Sequence, residues 1–464
     1  MTVIMKINHQ ITLTGTPERI QKAIIADLTL PNPAYQSALK QNRSTHGKPK
    51  TIELYRFEEG SMIVPRGYGK QLLDHLQDIP YQVVEERLLL PPVEFQSKIT
   101  PRDYQETAIQ ELVKHRQGGI VAPCGSGKTV ILLEAAARIG QPVLWITHQT
   151  ELANQTIQRA IDLLGLEPEE IGRIYGGTYT IGKRFTVALV QSLARIEFAE
   201  IADKFGAVMI DEAHHIAAQM FFHPIGQFPA MYRLWASATP TRNDGLTKMV
   251  YAGGGIILHE INQDDIEHTI TPALEIVQTD FDFIGETYID TVTGMIEDRQ
   301  RNELIVNTIR KYAPGHFSLV LSERIDHLEI LHQALAAAMP DMRIAILHGK
   351  LPKKQREAIM QAATRQEIDI LLATQLAREG LDIPHLDRLF LTVPKRAAGT
   401  VQQEVGRIMR TATGKTDAIV FDFWDSQCPL VKGQFWARRE VYRKLGIAVT
   451  MPTIAPQRRR REAF

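Results

Sequence analysis

Ala122-Pro123-Cys124-Gly125-Ser126-Gly127-Lys128-Thr129 is the stretch that decides the fold. It follows an apolar run, Gly119-Ile120-Val121, that reads as a short buried strand. It precedes Val130-Ile131-Leu132-Leu133-Glu134-Ala135-Ala136-Ala137, which reads as a helix. Strand, glycine-rich turn, Lys-Thr and helix together make the setting of a phosphate-binding loop. Gly125 and Gly127 let backbone N–H groups curl around an anion, and the helix N-terminus adds its positive dipole end. Pro123 to Thr129 then cradle a nucleotide. Lys128 would reach the β- and γ-phosphates, and the Thr129 hydroxyl would hold Mg²⁺. One position departs from the pattern, which has Gly where this chain has Ala122.

Working outward, 464 residues suggest about two to four domains. A hydrophobic fraction of 44% supports sizeable cores and excludes a disordered chain. Lys+Arg and Asp+Glu both number 53, so overall charge points to no partner. Two cysteines, Cys124 and Cys428, cannot build a disulfide framework and suggest a reducing compartment. No signal-peptide pattern and no bilayer-length apolar run is read. The expectation is a soluble protein of the cytoplasm, without a membrane partner.

On the N-terminal side, residues 1–90 read as a separate small α+β unit. Lys6–Leu13 alternates like one strand, and Pro17–Leu28 reads as a helix. Ile52–Phe57 and Met62–Val64 flank Glu58-Glu59-Gly60-Ser61 and read as a hairpin. Between them, Lys40–Lys50 is basic, with no acid from Thr29 to Ile52, so Arg43, Lys48 and Lys50 are candidate phosphate contacts. Tyr81–Thr100 reads as a linker strand. Beyond it, apolar runs at Gly119–Ala122, Val143–Ile146, Thr186–Val190, Ala207–Ile210 and Tyr232–Ala236 alternate with helical patterns, which implies a parallel sheet covered on both faces. A second series runs from Ser318 to Phe421 without a phosphate loop. Two such domains with a single loop imply nucleotide in a cleft between them. Residues 431–464 carry nine Lys/Arg against Glu440 and Glu462, with Arg438, Arg439, Arg443 and Lys444 in one helix-like stretch and Arg458–Arg461 in a tail. Beside a nucleotide motor, this favours a nucleic-acid path.

Val208-Met209-Ile210 ends in Asp211-Glu212-Ala213-His214-His215. A carboxylate at the C-terminal end of a strand suits Mg²⁺, which fits Asp211, and Glu212 can then deprotonate the attacking water. Adjacent histidines suit one tetrahedral zinc site poorly. Ser237-Ala238-Thr239-Pro240 follows the next strand. Gln403–Arg410 opens a helix on which Arg407 and Arg410, three apart, would share a face and serve as arginine fingers.

Ala122–Thr129, Asp211–His214, Ser237–Thr239 and Gln403–Arg410 resemble motifs I, II, III and VI of the superfamily 2 DEAD/DEAH-box helicases, and more narrowly the XPB/UvsW-like group with a type III restriction Res-subunit-like core. Pro101–Gln105 is similar to the adenine-reading element, and Thr147–Leu152, Gln191–Leu193, Leu347–Gly349 and Ala373–Pro384 to further motifs. Asn32-Pro33-Ala34-Tyr35 and Pro65-Arg66-Gly67 look like an N-terminal DNA-binding module of relatives. The resemblance implies two tandem RecA-like domains, at 91–262 and 263–449, with the accessory domain at 1–90 and a basic tail at 450–464. It implies that Gln105 reads adenine with Arg102 in support. Thr147, Gln191, Ser192 and Thr374 would line the strand-binding face, and Ser237 and Thr239 would couple hydrolysis to domain motion. Gly380 and Asp382 would sense nucleotide, and Gln403, Arg407 and Arg410 would complete the site, with Arg410 favoured as the finger. The function implied is an ATP- and Mg²⁺-dependent DNA helicase or translocase acting on single-stranded or branched DNA near the nucleoid. It would serve repair, recombination or mobile-element and defence processes, with a nuclease or repair partner. Two alternatives stand beside it: the motor subunit of a restriction or defence complex with a separate nuclease, and an ATP-switched nucleic-acid-binding protein that does not unwind.

Overall fold

The computed structural model describes residues 2–123, 125–213, 224–238, 246–266, 270–283, 287–374, 383–394 and 398–451, with the backbone alone at 398–400 and 403. The chain divides into two compact units, Met1–Ile266 and Glu267–Phe464.

Unit 1 begins with a sheet of β1 (Val3–Ile7), β2 (Gln10–Thr14), β5 (Arg56–Glu58), β6 (Ser61–Pro65) and β7 (Tyr81–Glu85), in the order β5-β6-β2-β1-β7; β3 (Thr29–Pro31) and β4 (Thr51–Glu53) pair separately. The stretch expected as one strand from Lys6 to Leu13 is instead two, turned at Asn8-His9. The Asn8 side chain accepts the His9 N–H at 2.8 Å, a local bond that favours the turn over a continuous ladder. Val3, Met5, Ile11 and Leu13 still reach the same core. The expected hairpin is shorter: Glu59 and Gly60, both at positive φ, join β5 to β6, a turn whose twist suits a two-residue loop. Residues expected at its start, Ile52 and Glu53, pair with β3 instead. The helix Glu18–Leu28 packs Ile20, Ile24 and Leu28 into the core at helical spacing. Tyr81–Glu85, expected to begin a linker, is an edge strand parallel to β1.

This first sheet is bound firmly to the next by two buried arginines. Arg66 donates through Nε to Gln117 Oε1 at 2.6 Å and through Nη1 to Ala230 O at 2.7 Å. Arg233 donates to Gly253 O, Phe228 O and His9 O. Backbone carbonyls take the place of counter-ions, so burial pulls both guanidiniums below their usual range, Arg233 to about 9. A Cβ on Gly67 would stand 2.1 Å from Tyr251 O, so only glycine permits the close approach.

The larger sheet holds β8 (Gln117–Val121), β9 (Val143–Thr147), β10 (Ile171–Tyr175), β11 (Thr178–Tyr179), β12 (Phe185–Leu189), β13 (Ala207–Ile210), β14 (Tyr232–Ser237) and β15 (Ile257–Glu260). Their order is β11-β10-β12-β9-β13-β14-β8-β15, parallel except for β11. β9 and β13 are buried at every position, as a sheet covered on both faces requires. Unit 2 repeats the plan with β16 (Ala273–Gln278), β17 (Phe317–Leu321), β18 (Ile344–Leu347), β19 (Ile370–Ala373), β20 (Leu386–Leu391) and β21 (Ile419–Trp424), all parallel, ordered β16-β21-β20-β17-β19-β18. β10, β15 and β16 had no counterpart in the apolar runs of the sequence.

Candidate active site

Parallel pairing puts the loops after β8, β9, β12, β13 and β14 at one carboxyl edge, where open α/β sheets bind ligands. The loop after β8 folds as the sequence predicts. Gly125 and Gly127 take φ +88 and +82, and the helix Lys128–Ile139 starts at once. Ala122, the departure from the pattern, is fully buried, and its N–H donates to Ser237 O at 3.0 Å, pinning the loop to β14.

Two side-chain pairs face each other across the loops after β8 and β13. The Thr129 hydroxyl donates to Asp211 Oδ2 at 2.8 Å, and Lys128 Nζ lies 3.5 Å from Glu212 Oε1. Lys128 Nζ also reaches Ala122 O at 3.3 Å. Burial, then the charge of Glu212, pushes the Asp211 carboxyl up to about 6. Glu212 sits at φ +52, a left-handed conformation uncommon for a non-glycine residue and typical of functional turns. The donor set of Thr129 and Asp211 suits a hard cation, because both offer oxygen and, among the described residues, the carboxylate has no cationic hydrogen-bond partner.

A third element supports the loop from outside. The helix Asp103–His115 opens with Gln105, whose Oε1 accepts the Arg102 N–H at 3.0 Å and whose Nε2 donates to Ser126 O at 2.8 Å. A Cβ on Gly127 would stand 2.6 Å from that Nε2 and push it aside, so the glycine that the φ favours also preserves this contact. Tyr104, which sequence reasoning passed over, donates its hydroxyl to Ser126 O at 3.3 Å and accepts from Arg102 Nη1 at 3.1 Å. Its position inside Pro101–Gln105 was the available signal.

The other expected residues are placed as follows. Ser237 is buried at the end of β14. Thr147 and Thr374 are buried at the ends of β9 and β19, while Gln191 is exposed, with Nε2 donating to His148 O at 3.1 Å, and Ser192 is half-buried. Arg43, Lys48 and Lys50 are exposed on the loop before β4. Cys124, His214, His215, Thr239, Gly380, Asp382, the Gln403 side chain and Arg458–Arg461 lie outside the described residues.

Three expectations change. The helix Ala398–Ile408 ends before Arg410, so Arg407 and Arg410 do not share a helical face. Lys415 Nζ caps that end, donating to Ile408 O and to Arg410 O at 2.7 Å. Arg438 does not join a phosphate path: it is buried in an ion pair with Asp422, Nη2 to Oδ1 at 2.7 Å, and Tyr442 donates to the same carboxylate. Arg66, in the stretch that resembles a DNA-binding module, is likewise buried, and its guanidinium is taken up by Gln117 and Ala230.

Comparison with known proteins now bears on this geometry. Residues 98–242 match the family model described as "Type III restriction enzyme, res subunit", and residues 300–412 match "Helicase conserved C-terminal domain". The "DNA 3'-5' helicase XPB" of Mycobacterium tuberculosis is 26% identical over 343 residues, 69% of this chain and 60% of that protein. The chain belongs to the superfamily 2 helicases of the XPB/Res type. A helicase of this type is an ATP-hydrolysing enzyme, and its phosphate loop and Asp211-Glu212 turn both fall in the first matched segment. A protein of Acanthamoeba polyphaga mimivirus named as an ATP-dependent RNA helicase is 29% identical over 364 residues, 74% of this helicase and 68% of that protein. The structure of S. cerevisiae Dbp5 bound to RNA and ADP BeF3 is similar in fold, with TM-score 0.57 and 14% identity over 75% of this helicase and 89% of that chain. The helicase is thus an α/β protein of two RecA-like parallel-sheet domains. Among the described residues, no helix is long and apolar enough to cross a membrane.

Proposed function

We propose that this helicase couples ATP hydrolysis to movement along DNA and to strand separation, in repair, recombination or mobile-element and defence processes. The observation that carries the reading is the facing of Lys128–Thr129 and Asp211–Glu212 at one carboxyl edge. When bound, Mg²⁺-ATP supplies the anhydride and the neutralising charge. Lys128 leaves Glu212 to meet the β- and γ-phosphates. Thr129 and Asp211 would hold the cation, and Glu212, freed of Lys128, would take the proton of the attacking water at its carboxylate. Gln105 holds Ser126 in place under the nucleotide, with Arg102 and Tyr104 beside it. Arg410, with Arg407 and Gln403, is assigned to the charge that develops on the γ-phosphate, with Gly380 and Asp382 sensing nucleotide. Gln191 and Ser192, together with Arg43, Lys48 and Lys50, take DNA phosphates. Buried Thr147 and Thr374 act by fixing the loops that follow them, and Ser237 and Thr239 couple the two events. The working place is the nucleoid in the cytoplasm.

DNA is preferred over RNA because the mycobacterial relative is named a DNA 3'-5' helicase. The test is ATP turnover with single-stranded DNA, duplex, forked DNA and RNA, beside displacement of a labelled strand. The reading expects DNA to stimulate turnover and a fork to be opened only with ATP; stimulation by RNA alone contradicts it. A second reading, the motor of a restriction or defence complex, is favoured by the Res-subunit match. Co-purification of a nuclease chain supports it. ATP-gated DNA binding with no displacement would leave the non-unwinding switch.

A further inference from the structure

The helix Pro429–Lys444 follows β21 and buries Val431, Phe435, Arg438 and Tyr442 in unit 2. At 100° per residue, Lys432, Trp436, Arg439 and Arg443 fall on one stripe turned away from that face. Lys432 and Arg443 are exposed, and Trp436 is 42% exposed, unlike Trp145, Trp235 and Trp424, which are buried.

The ring is held rigidly. It stands at 70° to Phe435 and 75° to Trp424, with centroids 5.6 and 6.2 Å apart, while those two rings stack on each other at 4.9 Å. The Arg439 guanidinium lies over it, 5.2 Å from the centroid. A ring fixed in this way loses little freedom when something stacks on it. The stripe has one carboxylate, Glu440, and Arg443 already lies 3.5 Å from it. Among the described residues, Lys432 and Arg439 have no carboxylate within ion-pair distance.

We propose that this stripe is a stacking platform for single-stranded nucleic acid, with a base on Trp436 and successive phosphates on Lys432, Arg439 and Arg443. It rests on the nucleic-acid reading given above. Three cations around an aromatic ring are the combination that binds single strands without regard to sequence. Charge favours this occupant over the chain's own C-terminal segment, whose sequence carries the like-charged run Arg458–Arg461.

The test titrates the full chain with oligo-dT and reads tryptophan fluorescence, DNA affinity and DNA-stimulated ATP turnover, for wild type, W436F, W436A and the double variant K432A/R443A. Stimulation in the wild type is the readout of the nucleic-acid reading itself, and its absence ends that reading irrespective of the platform. Given stimulation, DNA quenches the wild-type emission and W436F loses the quenched component. W436A needs about five- to 160-fold more DNA for half-saturation. The double variant loses about 1.4 units of salt slope, the single-strand value for two phosphate contacts. Basal ATP turnover without DNA stays at the wild-type level in all of them. Wild-type emission untouched by bound DNA, or wild-type affinity in both W436A and the double variant, overturns the proposal. So does a Trp436 already shielded from acrylamide before DNA is added, which would mean that the chain's own tail covers it.

Discussion

Asp211 and Asp425 hold matching places in the two units. Each directly follows an inner strand of a parallel sheet, β13 or β21, and each is almost fully buried. Their partners differ. Asp425 receives Arg301 Nε at 2.8 Å and Nη2 at 3.2 Å, and the Thr279 hydroxyl at 2.6 Å. Among the described residues, Asp211 receives the Thr129 hydroxyl and the Glu212 N–H, with a second carboxylate beside it. The same strand-end geometry thus serves two ends. A carboxylate closed off by a guanidinium is architecture. One with no cationic hydrogen-bond partner among the described residues, as Asp211 is, fits the proposal that it meets a charge arriving with the substrate.

The largest effect that can break this comparison is on unit 1. Lys128→Ala should lower ATP turnover by about three orders of magnitude or more, since positioning and charge do nearly all the work in phosphoryl transfer. The circular dichroism melt should stay close to wild type. Turnover at the wild-type level would end the assignment of the loop.

Next come the two aspartates. Asp425→Ala leaves Arg301 buried without its counter-ion, which should cost about 3–5 kcal/mol. Hydrogen exchange read by mass spectrometry should show unit 2 opening while unit 1 peptides stay protected. Asp211→Asn keeps a partner for Thr129 and removes a charge that burial disfavours, so unit 1 should be as stable as wild type or more so, with Mg²⁺ dependence lost. Equal destabilisation by both variants would erase the distinction.

The units should also answer pH with opposite signs. The folded Asp211 carboxyl holds its proton up to about 6, an unfolded one only to about 3.8, so unit 1 loses stability as pH rises through that window. His327 in unit 2 accepts from Ser322 at Nδ1 and donates through Nε2 to Asn302 Oδ1, a neutral ring. Burial lowers it to about 3 against 6.5 unfolded, so unit 2 loses stability as pH falls below about 6.5. Each slope is at most about 1.4 kcal/mol per pH unit. Exchange rates of the two units at several pH values check the signs, and His327→Gln should flatten the acid side of unit 2 alone.

The smallest effect concerns the N-terminal loop. Neutralising Arg43, Lys48 and Lys50 should lower the log–log salt slope of DNA binding by up to about three and leave basal turnover unchanged. An unchanged slope would favour protein docking for that loop.

What could be read in the sequence follows from range. The phosphate loop, Asp211-Glu212 and most inner strands are short continuous patterns, and local chemistry fixes them. β10, β15 and β16 are partly exposed or edge strands, with no unbroken apolar run to mark them. Arg438 reads as a surface cation because its partner, Asp422, lies on another element, and the burial of Arg66 was hidden because the carbonyl of Ala230 is far from it in sequence and contributes only backbone. Arg233 gave a hint that was passed over: an arginine inside the run Tyr232–Ala236 has to find acceptors inside the protein. Trp436 was hidden for the converse reason, since a tryptophan in a helix is expected to be buried.

The most direct test of the central claim is phosphate release by Glu212→Gln with ATP, Mg²⁺ and single-stranded DNA. Gln keeps the shape of the turn and cannot take the water's proton, so ATP should bind and DNA should be held while release falls by about two to four orders of magnitude. Release at the wild-type rate would contradict the assignment of Glu212 as the base and, with it, the account of the Asp211-Glu212 turn.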